Sequence, residues 1–301
     1  MVLAILIVLA VFPTFSSYYR ILWLTNILTY VILTLSWSLF SGKTGYLSLA
    51  TAAFFGVGMY TSAILGGDLP LLLVIFLGGI FSCILAAIIG AITLRLRGIY
   101  FLIFSFGIAE LIKYVLLWYE IRFTGTRGRF VTLVDNETLY FIMLGIFVIL
   151  LITVVLINRS RWGLALQSIG DYEEAASHMG VNVTALKIII FAISSFFMGA
   201  AGSVAAMKLS YIDPYSAFDY FNSFLPALMA VFGGMGTFYG PLIGAAVFAI
   251  LREYLITQHA EYYKLIIGLT LLLTIIYLPR GLMGLVEKAW RRTWGGKHAD
   301  S

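Results

Sequence analysis

The sequence predicts an all-α integral membrane protein. Of its 301 residues, 61% are hydrophobic and 11% charged, whereas a soluble domain carries about 25% charged residues. No water-facing surface can be assembled from such a chain. The apolar residues also come in long runs, and a backbone without water must satisfy its own hydrogen bonds, which helices do. A membrane barrel would instead show alternating segments of about ten residues, and the sequence has none.

Ten runs approach the ~20 residues that span a bilayer. They fall at roughly 2–12, 20–40, 47–65, 69–94, 99–118, 139–157, 187–207, 223–238, 241–257 and 262–278. The first is short for a crossing and lacks the basic start and small-residue cleavage site of a secretory leader, so a tilted or incomplete helix is expected there. About ten transmembrane helices, some short or broken, make one transmembrane domain over 1–301, with a basic tail at 279–301. Lys and Arg flanking the spans set orientation. With the N-terminus inside, 11 of the 19 basic residues face the cytoplasm, among them Lys43, Arg95, Arg97, Arg159, Arg161 and Lys187. Both termini are then cytoplasmic. The net charge of +5 reflects these basic inner loops and not nucleic-acid binding.

Between the second and third runs stands Gly42-Lys43-Thr44, the end of a phosphate-binding loop. The full motif needs a Gly five residues before Gly42, a strand before it and a helix after it. Trp37 occupies that place, after a long apolar run, so the tripeptide reads as a polar turn. The third run, "SLATAAFFGVGMYTSAIL", is rich in small and hydroxyl residues, including Ser48, Gly56 and Gly58. Gly236, Gly240 and Gly244 recur at a spacing of four in "VFGGMGTFYGPLIGAAV". Both patterns fit close helix packing or a broken helix beside a pathway. In the fifth run, Glu110 is an intramembrane carboxylate, a functional candidate by default, and Lys113 follows at the spacing that lets the two meet on one helix face.

The loop at about 158–186, "NRSRWGLALQSIGDYEEAASHMGVNVTAL", has helix-like periodicity. Asp171 is expected as an N-cap, with Glu174 completing a capping box. Gly180 stands where the helix should turn, before a second helix enters the membrane near Lys187. Without further context, such a helix would lie on the bilayer surface. Its residues, however, follow the pattern Glu174-Ala175-Ala176, three residues, Gly180, and ten later Ile190. This resembles the coupling motif of ABC-importer permeases. The Leu-Pro that can close that motif is replaced by Ala192 and Ile193.

The blocks "GYLSLATAAFFGVGMYTSAIL", "LRLRGIYFLIFSFGIAELIKYV", the 158–187 loop with the segment after it, "LMAVFGGMGTFYGPLIGA" and "YLPRGLMG" follow in order over roughly 20–285. Together they resemble the branched-chain amino acid permease family of ABC importers, in particular the subunit type with the "RLRGIYF" and "LPRGL" segments. The resemblance implies a cell-membrane subunit of an importer for branched-chain or related amino acids. It would pair with a homologous permease, take its drive from two cytoplasmic ATPase subunits docked on Glu174, Ala175, Ala176 and Gly180, and receive solute from an extracytoplasmic binding protein. ATP would be hydrolysed on partner chains, so this chain is not expected to be an enzyme. Relatives of this kind carry urea or short-chain amides, and no residue decides between these substrates.

Two other classes of function fit less well. A self-sufficient secondary carrier or channel would need several buried acids, and Glu110 is the one good candidate. A membrane enzyme would need clustered catalytic groups, but His178, His259 and His298 are scattered and Cys83 sits alone in an apolar run. No catalytic residues, metal or cofactor are expected. In the outer loops, Arg122, Arg127, Arg129, Asp213 and Asp219 are candidates for docking the binding protein.

Overall fold

A computed structural model describes residues 9–10, 12–15, 17–96, 98–235, 237, 239–259, 261–277 and 281–284. The regular structure of the described residues is helical apart from a two-residue antiparallel pair, β1 (Arg129–Phe130) with β2 (Tyr211–Ile212). The helices are α1 (Tyr18–Thr44), α2 (Thr51–Leu65), α3 (Leu71–Thr93), α4 (Ile99–Tyr119, continued by a π turn over Glu120–Thr124) and α5 (Asn136–Arg159). They are followed by α6 (Arg161–His178), α7 (Val183–Ala206), the single turn α8 (Pro214–Ala217), α9 (Phe221–Gly233), α10 (Tyr239–Gln258) and α11 (Tyr263–Tyr277).

Six of these are long and apolar enough to cross a bilayer: α1, α3, α4 with its π turn, α5, α7 and α10. The expected ten crossings are therefore not carried by helix length. At ~1.5 Å per residue, α2, α9 and α11 reach only about 20–23 Å, against a hydrocarbon core of about 30 Å. The run at 2–12 lies almost wholly outside the described residues. The run expected over 223–238 ends as a helix at Gly233.

The core forms around α7, which packs on α2 and α3. Small residues allow it. A methyl group on Gly58 would sit 1.9 Å from the Gly199 carbonyl oxygen, so α2 and α7 touch backbone to backbone. Serines then bridge the helices. Ser203 donates to the Gly58 carbonyl (2.9 Å), Ser62 to that of Ser203 (3.0 Å) and Ser82 to that of Phe54 (2.9 Å). Without a hydrophobic drive between helices in lipid, close packing and such bonds hold the bundle.

The stretch between α1 and α2, residues 45–50, is not helical, yet Tyr46, Ser48, Leu49 and Ala50 are buried. Non-helical backbone at membrane depth is tolerated only where protein or a cavity surrounds it. Here side chains replace helical partners: the Ser48 carbonyl accepts from Trp37 Nε1 (2.7 Å), and Ser105 Oγ accepts from Leu49 N (2.9 Å).

Candidate functional site

Helix α6 and its ties to the bundle form the most organised polar site at the expected cytoplasmic end. The helix starts ten residues before the expected cap. Ser160 caps it, accepting from Trp162 N, while Asp171 lies inside it. The capping box expected at Asp171 and Glu174 is thus corrected: the apolar repeat already begins at Gly163 and Leu166, which are buried, and the bundle holds the earlier turns in place. The chain does leave helical geometry at Tyr172 (φ −158°, ψ 100°), beside the proposed cap. After His178, Gly180 adopts φ +85°, a left-handed conformation that costs glycine least. Asn182 then caps α7, accepting from Ala185 N.

Among the residues singled out on α6, Glu174 and Ala175 are exposed and Ala176 is buried. The inward carboxylate is the neighbour, Glu173. Lys187, almost completely buried on α7, donates to Glu173 Oε1 (3.0 Å), to the Tyr46 hydroxyl (3.1 Å) and to the Leu94 carbonyl (3.2 Å). Tyr46 in turn donates to Glu173 Oε2. The ammonium lies 4.2 Å from the centre of the Tyr46 ring, which packs edge-on against Phe101. One buried cation therefore ties α6 to α7, to the end of α3 and to the irregular 45–50 segment that leads into α2. All three donor positions of the ammonium are used, which a charge in so dry a place requires.

Lys187 was expected only as a basic residue flanking a span, and Glu173 and Tyr46 were not singled out. One signal was present: Lys187 is the fifth residue of its helix and runs straight into Ile188-Ile189-Ile190, deeper than a flanking charge usually sits.

Gly42-Lys43-Thr44 closes the C-terminal end of α1. A helix C-terminus carries the negative end of the macrodipole, the wrong end for phosphate. Lys43 instead lines a 290 Å³ cavity with Asn158, Gln167, Asp171 and Thr237.

The remaining candidates separate. Ser48 lies in the buried 45–50 segment, where its Oγ accepts from Ala50 N (3.3 Å). Gly56 abuts the Phe218 ring and Gly58 the Gly199 backbone. Gly240 and Gly244 meet Gly233 and Gly234 where α10 folds back on α9, and Gly236 lies outside the described residues. Glu110 pairs with Lys113 within α4, and Lys113 also lies 5.8 Å from the Tyr215 ring centre.

At the opposite end of the bundle from α6, four of the charges expected as docking points have internal partners, Asp219 Oδ1 accepting from Phe221 N (3.0 Å). Arg129 lies 3.4 Å from the buried Glu120, which also accepts from Gly128 N (2.9 Å), and Arg127 pairs with Asp213 (3.2 Å). Glu120 went unremarked in the sequence because it sits at a span end, where acids are ordinary. No group of three or more metal-ligating side chains occurs among the described residues.

The family model described as "Branched-chain amino acid transport system / permease component" matches residues 19–275. The high-affinity branched-chain amino acid transport system permease protein LivM of Salmonella typhimurium is 26% identical, with 93% of this chain and 74% of that protein aligned. LivM of Escherichia coli is 25% identical over 86% of this chain and 68% of its own length. The fructose import permease protein FrcC of Rhizobium meliloti is 27% identical but over 44% of the chain. No solved structure matches.

Proposed function

We propose a role that starts from family membership: the chain belongs to the branched-chain amino acid transport system permease component family. On this reading it is a multi-pass permease subunit of an ABC importer that moves branched-chain or related amino acids. ATP is bound and hydrolysed on separate subunits, a homologous permease completes the pore, and an extracytoplasmic binding protein delivers the solute. The observation that carries the substrate class is coverage. The two LivM relatives align with nearly the whole chain, whereas the fructose permease aligns with less than half.

Coupling is assigned to α6. Glu174 and Ala175 face outward, where an ATPase groove can receive them, and Gly180 turns the chain back toward α7. Motion of α6 passes through Glu173 to Lys187 and Tyr46, and so to α7 and the segment that opens α2. A short helix transmits force if it is rigidly joined to a membrane helix, and the buried ion pair supplies that joint. The test is a cysteine in place of the exposed Ser177, in the complex assembled with its ATPases. A crosslink to the ATPase is expected. Free labelling of that cysteine in the assembled complex, together with normal uptake by Glu174→Lys, would overturn the assignment of α6.

A further inference from the structure

At the end of the bundle away from α6 lies a cavity of 450 Å³ between α1, α2, α9, α10 and the end of α7. Asn26 in its wall and Lys43 near α6 are separated by about 25 Å along α1. The volume lies within the ~300–1,000 Å³ of small-molecule sites. Its polar groups are densely arranged. Lys208 donates to Asn26 Oδ1 (2.8 Å), and Asn26 Nδ2 donates to Glu253 Oε1 (3.0 Å). Arg252 Nη1 stands 3.7 Å from Glu253 Oε2, and its guanidinium stacks 4.5 Å from the Tyr30 ring centre. Leu22, Phe55, Met59 and Ile256 supply an apolar wall.

Two features of this cluster call for an anion. Lys208 and Arg252 face one carboxylate, that of Glu253, and Lys208 reaches it through the Asn26 amide instead of pairing directly. The cavity lining therefore carries two cationic groups to one carboxylate, with Asp219 the next acid, near Tyr30, and a cation that is not fully paired is costly away from water. In addition, Arg252 Nε is buried with no hydrogen-bond partner among the described residues, and a buried donor left unsatisfied is also costly. Arginine presents its donors as a fork that matches a carboxylate.

We propose that this cavity is a solute site of the permease, in which Arg252 and Lys208 bind the α-carboxylate of an amino acid and Leu22, Phe55, Met59 and Ile256 enclose its aliphatic side chain. Glu253 Oε2 is placed for the ammonium group. The proposal rests on the transport reading above and adds residues to it. Burial lowers the pKa of Lys208 to about 8, against the pull of Glu253. The site therefore holds its full positive charge below that pH and loses part of it above, with Arg252, Glu253, Tyr30 and Asp219 as its charged and titratable surroundings.

The experiment is equilibrium binding of labelled leucine to the assembled complex in nanodiscs, without the binding protein. Wild type should bind leucine, should fail to bind leucinol, which lacks the carboxylate, and should bind more weakly at pH 8.5, where leucine keeps its ammonium, than at pH 7. Arg252→Met should weaken binding by about tenfold or more, the value of a lost charge-assisted hydrogen bond, and Arg252→Lys should recover part of it. If Arg252→Met does not assemble, the leucinol comparison decides on wild type alone. A complex that imports leucine with its binding protein, yet binds leucinol as well as leucine or binds neither, overturns the site and leaves the transport reading intact. A wild-type complex that imports no amino acid overturns the transport reading itself.

Discussion

Lys187 gathers the ties between α6 and the bundle in one side chain. Removing one partner of a buried ion pair costs about 3–5 kcal/mol because the other charge is stranded. Lys187→Met should therefore lower the thermal stability of the purified complex and strand Glu173. The double variant Lys187→Met/Glu173→Gln should regain part of that stability, because no bare charge remains. It should not regain uptake, because α6 is no longer tied to α7. Measured together, melting temperature and uptake separate a stabilising role from a transmitting one: full uptake by a stable double variant would show that the pair carries no motion. The Glu110–Lys113 pair calls for the opposite readout. Both groups lie on α4, so Glu110→Gln should reduce stability or assembly, the double removal should restore some of it, and solute preference should not change. A stable Glu110→Gln complex with altered preference would place that carboxylate against the solute.

At the scale of elements, the glycines divide into two kinds. Gly180 turns the chain, and Gly180→Asp should leave the protein inserted but stop uptake, since a side chain at φ +85° is strained. Gly240 has no room: a methyl group there would lie 2.1 Å from the Gly234 carbonyl oxygen. Gly240→Leu should prevent α9 and α10 from closing and reduce the yield of assembled complex, read by gel filtration. Wild-type yield would mean that the hairpin opens at little cost. Most helix positions could be read from the sequence, because an apolar run in lipid has few alternatives to a helix. The helix ends were less legible. The start of α6 was misplaced because Asp171 and Glu174 form a good local cap signal, whereas the bundle holds helix back to Ser160. The break at Tyr172 also shifts the helical phase, so periodicity could not tell that Glu173 faces inward and Glu174 outward. The irregular 45–50 segment was hidden for a related reason: its bonds come from Trp37 and Ser105, partners that no local pattern reveals.

At the scale of the molecule, the two polar sites lie at opposite ends of one bundle. Near α6, the buried Lys187 is paired with Glu173 and serves as a joint. At the other end, the lining of the cavity between α1 and α10 holds Lys208 and Arg252 around one carboxylate and leaves Arg252 Nε without a hydrogen-bond partner among the described residues. Lys208 and Arg252 could be read in the sequence only as basic residues on one side of the membrane, since their convergence depends on three helices folding together. Helix α4 with its π turn is the least buried of the six long spans, at 22%, and its broad apolar face suits lipid or a second permease. On the proposed function, this subunit imports amino acid only when ATPases push on α6. That dependence is tested most directly by the initial rate of leucine uptake into proteoliposomes holding the assembled complex, its leucine-loaded binding protein and internal or external ATP. Uptake should require ATP on the ATPase side and should be lost in Glu174→Lys despite normal assembly. Leucine uptake that continues without ATP or without the ATPase subunits would contradict it.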